Sequence, residues 1–328
     1  MGKLKYKSKM NLKTKQETGK RWSIFPIHYM DLWEHYKNAQ KQHWIAEEVD
    51  LSGDRFHELP KVEQEYLKSL LGFFTVSDGM VIENLALNFL KEVEIPEAQY
   101  FYAYQAHIES VHAEMYGLLV DTYIKDTIEK DKMFNSVEKM ETVSKKASWA
   151  INWISSPSFV ERLVAFACVE GISFSSTFAG IFWFRSRNKM LGLGAANDLI
   201  VADENSHYDF ATYLYNNYIN DEDKLSKERL QQIILDCYDV EKVFVEEAMP
   251  SGLDGLTKEH MIQYVQFVTD TVLLNFGLSA KFNVQNPLEY MNRISLKRKG
   301  NFFENRGNND YTKVNIPGLG ESIFNDNF

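Results

Sequence analysis

Glu109-Ser110-Val111-His112, with Tyr116 one turn further on, is the stretch whose reading decides the fold. A second Glu-x-x-His, Glu204-Asn205-Ser206-His207, lies 95 residues later. Both copies sit in long segments of helical periodicity. Residues three apart share a helix face, so each copy presents one carboxylate and one imidazole to the same point. A single Glu-x-x-His is commonplace and is read first as a solvated or core pair. Two copies, completed by one acid from each of two further helices, form the donor set of a pair of iron or manganese ions held inside a helical bundle.

The surrounding chain has the texture such a bundle needs. Its 328 residues are 45% hydrophobic and 14% aromatic, with 22 Phe and 17 Tyr, enough to fill a large core. Apolar residues recur at three- and four-residue spacing over 28–46, 60–91, 96–125, 128–154, 158–187, 192–219, 224–249 and 257–280, which predicts helices there. Seven prolines punctuate these segments rather than interrupt them. No strand alternation, G-x-G-x-x-G or nucleotide loop is present, so the expected class is all-α.

Charge and cysteines narrow the function further. A net charge of −10 argues against a nucleic-acid binder. The two cysteines, Cys168 and Cys237, form no Cys-x-x-Cys and suggest no disulfide framework, which favours a reducing, cytoplasmic setting. Residues 1–21 read as a basic, flexible arm without the apolar run of a secretory signal. No uninterrupted apolar run reaches the roughly 18 residues of a membrane span, so no membrane partner is expected. A ferritin-like di-metal helical domain is expected over 22–300. From about Gly300 the periodicity stops, and 301–328 read as a flexible tail carrying Tyr311 and closing on Ile323-Phe324-Asn325-Asp326-Asn327-Phe328.

The two motif helices supply Glu109, His112, Glu204 and His207. Glu170 stands alone in the apolar run Phe166–Phe174, where an unpartnered buried acid would cost several kcal/mol. It is therefore a candidate fifth ligand. For the sixth, the stretch Trp44-Ile45-Ala46-Glu47-Glu48-Val49-Asp50 offers three acids, and pattern alone does not choose between them. The absence of Cys ligands disfavours a structural zinc. His35, His43, His57, His107 and His260 are read as ordinary core or surface residues. Tyr116 shares the face of Glu109 and His112, and Phe174 and Phe178 share the face of Glu170. A buried Tyr beside a redox metal, kept dry by Phe, has the setting of a stable radical. The plainer alternative is a core tyrosine.

From about Arg21 onward the chain resembles the radical-generating small subunit of class I ribonucleotide reductase, in its eukaryotic or eukaryote-virus-like form. The resemblance is carried by Ile24-Phe25-Pro26-Ile27 with Asp31-Leu32-Trp33, by Trp44 through Ser52, and by Glu109 through Tyr116. Val169-Glu170-Gly171-Ile172, Asp203 through His207, and Asn301-Phe302-Phe303-Glu304 complete it. It implies a ferritin-like bundle and the metal set Asp50, Glu109, His112, Glu170, Glu204 and His207. It further implies a radical at Tyr116 within a pocket of Phe174, Phe178 and Ile200. The resemblance also implies two iron ions per chain, mixed manganese and iron being the lesser alternative. A radical relay through Asp203, Trp33 and Tyr311 follows from it, as do a homodimer and docking on a large subunit through the tail, with Phe324 and Phe328 as anchors. The implied reaction is reduction of ribonucleoside diphosphates to deoxyribonucleotides.

Two departures from the family pattern stand out. Ala202 occupies the position usually held by Arg before Asp-Glu, which removes a charged partner from Asp203 and leaves the relay's geometry open. Asn325 and Asn327 stand where acids are common in the final peptide. A stand-alone ferritin-like oxidase would have no use for Trp33, Tyr311 or a docking tail. A non-catalytic scaffold would be expected to lose ligands.

Overall fold

A computed structural model describes residue 12 and residues 21–291. The chain divides into two units, Met1–Tyr290 and Met291–Phe328, and every named helix belongs to the first. Tyr311, Phe324 and Phe328 lie outside the described residues.

The described residues form a helical bundle without named strands. Helix α1 spans Met30–Lys41, and α2 spans Lys61–Asn84, extended by a π turn at Leu85–Phe89. Helix α3, Pro96–Tyr123, starts with Pro at its first turn, where the missing N–H costs nothing. The expected helix over 128–154 is broken into α4 (Thr127–Phe134), α5 (Ser136–Lys139) and α6 (Glu141–Ile154). Asp126 starts α4 by accepting from the N–H groups of Ile128 and Glu129. Helix α7, Phe159–Cys168, is capped by Ser158 and passes through a π turn, Val169–Ser173, into α8, Ser175–Ser186. Helices α9 (Leu191–Tyr218), α10 (Lys227–Ala248) and α11 (Lys258–Asn275) follow, the last two capped by Ser226 and Thr257.

Helices α2, α3, α7 with its π turn, and α9 surround the core and carry the buried polar groups. By length and composition Lys61–Glu92 and Phe159–Ser186 are apolar enough to cross a membrane. However, 89% of the relevant window of the second is buried within the fold, as is 56% of the first. Both are core helices, the first burying Asp78 together with Glu63 and the second burying Glu170 together with Arg162.

Helix α1 ends at Lys41, short of the expected 46, and a 3-10 turn at Ala46–Glu48 follows. This early stop turns Trp44 into the core, where it is only 2% exposed. The loop beyond it anchors α9. Asp54 Oδ1 and Oδ2 accept from the N–H groups of Gly192 and Leu193, each at 2.8 Å, satisfying donors that a helix start leaves open. Gly192 is required there, because a Cβ would meet the Asp50 carbonyl oxygen at 2.5 Å.

Candidate metal centre

Four helical segments aim acids and imidazoles at one buried point. Helix α3 supplies Glu109 and His112, and α9 supplies Glu204 and His207. The π turn supplies Glu170, and α2 supplies Asp78, which is 1% exposed. Ligand atoms of Glu109, Glu170, Glu204 and His207 lie within 4.8 Å of one another, and those of Asp78, Glu109 and His112 form a second such group.

The distances sort the six side chains into roles. Glu204 reaches His112 Nδ1 with Oε1 (3.1 Å) and His207 Nδ1 with Oε2 (2.7 Å). Glu109 does the same in the opposite sense, with Oε2 to His112 (3.2 Å) and Oε1 to His207 (3.1 Å). Each of these carboxylates spans both imidazoles, one oxygen to each. Asp78 and Glu170 lie in different groups, at the two ends of the set.

The terminal acids are the ones left short of partners. Asp78 Oδ1 accepts from Ser77 Oγ (3.0 Å), and Glu170 Oε1 accepts from Gln105 Nε2 (3.1 Å). Asp78 Oδ2 and Glu170 Oε2 are buried without a hydrogen bond. Orphaned oxygens of this kind are costly, and a cation would satisfy both. The residues therefore fit a two-metal site.

Electrostatics agree. Burial, reinforced by Glu109, pushes the Asp78 carboxyl well above the usual range, and burial with Glu204 and Glu109 does the same for Glu170. Burial opposes charge on His207, but Glu109 and Glu204 outweigh it and lift the imidazole to about 9. His112 is likewise raised against burial, with Glu204 the strongest of its carboxylate partners. Burial also works against ionisation of Glu204, yet the two imidazoles hold it far below the ordinary value. In this arrangement protons supply positive charge that two divalent ions would bring.

Asp50 is not part of this set. It lies exposed in the loop before Asp54, and hydrogen bonding from Ser52, first through its hydroxyl and then through its N–H (2.8 Å to Oδ1), keeps its carboxyl below the usual range. Its carbonyl faces Gly192, twelve residues before Glu204 on α9, about 18 Å away along the helix at 1.5 Å per residue. The sixth acid is Asp78. The signal for it is present in the sequence: Asp78 interrupts Leu70–Ile82 just as Glu170 interrupts Phe166–Phe174.

Trp33 is also displaced from its expected place. It is half-buried on α1 against Phe25, Tyr36 and Tyr100. The indole that meets Asp203 belongs to Trp44, whose Nε1 donates to Asp203 Oδ2 at 2.8 Å. The same oxygen lies 3.1 Å from His112 Nε2, and the Trp44 and His112 rings stack with centroids 5.8 Å apart. The Trp44–Asp203–His112 line forms with Ala202 in place of the family's arginine.

Tyr116 is 1% exposed, and its hydroxyl has no hydrogen-bond partner. Burial, and then the charge of Asp78, raise its phenol well above the ordinary value. Its ring stacks on Phe74, centroids 4.4 Å apart and planes 8° from parallel. Phe174 and Phe178 pack on Phe74 at 5.7 and 5.0 Å. Ile200 is buried on α9, one turn before Glu204. Phe74 and Gln105 were not among the residues singled out by sequence. Gln105 donates to Glu109 as well as to Glu170, tying the acid that spans both imidazoles to the one at the end of the set.

Against known proteins, the family model described as "Ribonucleotide reductase, small chain" matches residues 21–287. The chain belongs to the ribonucleotide reductase small-chain family. The ribonucleoside-diphosphate reductase small chain of Nicotiana tabacum is 46% identical over 299 residues, 90% of this chain and 90% of its own. Ribonucleoside-diphosphate reductase subunit M2 of Danio rerio is 45% identical over 295 residues, 89% of this chain and 76% of its own. The solved ribonucleotide reductase Rnr4 homodimer of Saccharomyces cerevisiae matches with TM-score 0.74 at 30% identity, covering 86% of this chain and 91% of that one. The R2 subunit of Clostridium botulinum reaches TM-score 0.78 at 19% identity, covering 88% and 99%, a likeness of fold. The expected ferritin-like bundle of the small chain is therefore the observed one. The activity class is that of a ribonucleoside-diphosphate reductase small subunit, and a two-metal site fits both family and geometry.

Proposed function

We propose that this chain generates a tyrosyl radical at Tyr116 and relays it to a reductase large subunit, where it starts reduction of ribonucleoside diphosphates. The observation that carries this reading is the buried, unpartnered Tyr116 hydroxyl beside a six-residue, two-metal donor set. The holding residues are Asp78, Glu109, His112, Glu170, Glu204 and His207. Iron suits an oxygen- and nitrogen-rich set that Tyr116 adjoins. When bound, the metal pair supplies a one-electron oxidant made with dioxygen.

The chain's own residues do the rest. Glu109 and Glu204 hold the two imidazoles in register. Asp203 fixes the His112 ring through Nε2, a support that orients a ligand and tunes its basicity. Of the charged groups, Asp78 acts most strongly on the Tyr116 phenol, and with burial it keeps the phenol protonated until it is oxidised. Phe74 covers the ring face and excludes water. To return the oxidising equivalent outward, an electron moves inward from the Trp44 indole along the hydrogen bonds through Asp203 to His112. Tyr311 and the Phe324 and Phe328 anchors would continue this route to the partner through the tail. Pairing of two copies and a cytoplasmic setting are part of the same proposal, in keeping with the homodimeric yeast relative.

The test is Tyr116→Phe. The variant should bind two metals per chain, show no tyrosyl signal in electron paramagnetic resonance and support no reductase activity with the large subunit. Full activity would remove the radical role of Tyr116.

A further inference from the structure

A row of aromatic rings lies where α1 packs on α3, outside the metal centre. Trp33 is 5.0 Å from Tyr36 and 6.1 Å from Tyr100 between ring centroids. Tyr36 is 5.6 Å from Tyr100 and 6.3 Å from Tyr104. Tyr104 in turn is 6.3 Å from His43, whose ring stacks on His107 at 5.5 Å. Tyr100, His43 and His107 are exposed, whereas Trp33, Tyr36 and Tyr104 are half-buried. The row thus leads from the surface inward and ends at Tyr104.

Tyr104 stands beside the Trp44–Asp203–His112 line. Burial, and then the charge of Asp203, raise its phenol well above the ordinary value, with His112 acting against them. Trp44, which donates to the same Asp203, directly follows His43 in the chain. The Tyr104 hydroxyl lies 3.4 Å from His43 Nδ1. A phenol that loses an electron becomes strongly acidic, and its proton needs a base within hydrogen-bond reach. The exposed His43 imidazole meets that need and can pass the proton on to water. Packing between two helices accounts for rings in contact. It does not call for a phenol–imidazole pair at the inner end of the row, where Phe would fill the same space.

We propose that Tyr104, with His43 as its proton acceptor, is a redox-active side branch of the relay, through which a one-electron reductant in solution refills an oxidising equivalent stranded on Trp44. The Tyr104 phenol gives one electron to the oxidised Trp44 indole, restoring it, and gives its proton to His43. The phenoxyl radical then takes back that proton, together with one electron passed through Trp33 and Tyr36 from the reductant, which is oxidised by one electron. The draining role rests on the radical-generating reading above, whereas transfer between Trp44 and Tyr104 does not.

The transfer is tested on the full chain without metal. A laser pulse ionises tryptophans whatever their burial, and transient absorbance follows passage of the oxidising equivalent to tyrosine. One tyrosyl component should be missing from both Tyr104→Phe and Trp44→Phe. His43→Ala should slow it about tenfold or more, and imidazole added to the buffer should restore it. A component that persists in Tyr104→Phe, or a rate unchanged in His43→Ala, overturns the proposal. The draining role is read on iron-loaded protein, as decay of the Tyr116 signal in electron paramagnetic resonance after addition of reduced methyl viologen. Decay should be about tenfold slower in Tyr104→Phe and in His43→Ala, again with rescue of the second by imidazole. Equal decay in wild type and Tyr104→Phe overturns the draining role. A wild-type chain that shows the component but forms no Tyr116 signal refutes that role together with the radical reading and leaves the transfer from Tyr104 to Trp44 standing.

Discussion

Asp50 and Asp78 are aspartates of opposite fate. The Trp44–Asp54 segment is acid-rich, looped and mostly solvent-facing, and its aspartates serve the backbone: Asp50 closes a turn on Ser52, and Asp54 starts α9. The Leu70–Ile82 segment is apolar and helical, and its single acid is driven inside with one oxygen unpaired. A carboxylate among other acids in a loop finds water or a nearby N–H. A carboxylate alone in an apolar helix has neither, and burial without compensation is too costly to persist. Isolation in an apolar helix, rather than density of acids, marks the ligand.

The largest expected effect breaks this pair apart. Asp78→Ala should weaken metal binding by roughly 100-fold or more, beyond the effect of losing a supporting hydrogen bond, while Asp50→Ala should leave it unchanged. Equilibrium dialysis with elemental analysis reads both, and comparable losses would erase the distinction. The two tryptophans repeat the contrast. Trp44→Phe removes the donor to Asp203 and should lower activity with the large subunit roughly 100-fold, as small misplacements at a reacting chain can. The radical signal should be preserved in that variant. Trp33→Phe should stay near wild type in both, and a reversed order would return the relay to Trp33.

Gln105→Leu probes the support beneath the ligands. Losing its bonds to Glu109 and Glu170 should weaken metal binding about tenfold, and an unchanged affinity would make Gln105 a bystander. The smallest effect is on stability. His207 has an ordinary value of 6.5 and is raised to about 9 in the fold. Its stabilising charge is therefore fully present below pH 6.5 and lost as pH rises toward 9. Asp78 and Glu170, also raised, act in the same direction. Apo protein should lose a few degrees of melting temperature across this window. Metal-loaded protein should not, because its ligands are already deprotonated. Equal slopes for the two forms would argue against proton–metal exchange at the site.

Much of this architecture is legible in the sequence because helical periodicity is local. Glu109, His112, Tyr116, Glu204 and His207 follow from spacing alone, and Glu170 from its apolar surroundings. Asp78 was open to the same reading as Glu170. The family resemblance, drawn through the acid string that ends at Asp50, pointed instead to the loop. The remainder depends on contacts between distant segments. No pattern near Trp44 or Trp33 shows which indole reaches Asp203, 159 residues from Trp44. Nor does local composition reveal the π turn at Val169–Ser173 or the stacking of Phe74 on Tyr116. The break of the 128–154 segment at Asn135 and Met140 is likewise set by packing that the periodicity does not encode.

The most direct test is low-temperature electron paramagnetic resonance of aerobically iron-loaded protein, recorded side by side for the wild type, Asp50→Asn and Asp78→Asn. The expected result is a tyrosyl doublet of equal intensity in the wild type and Asp50→Asn, and none in Asp78→Asn. A doublet that survives in Asp78→Asn and vanishes in Asp50→Asn would contradict the assignment of the metal centre.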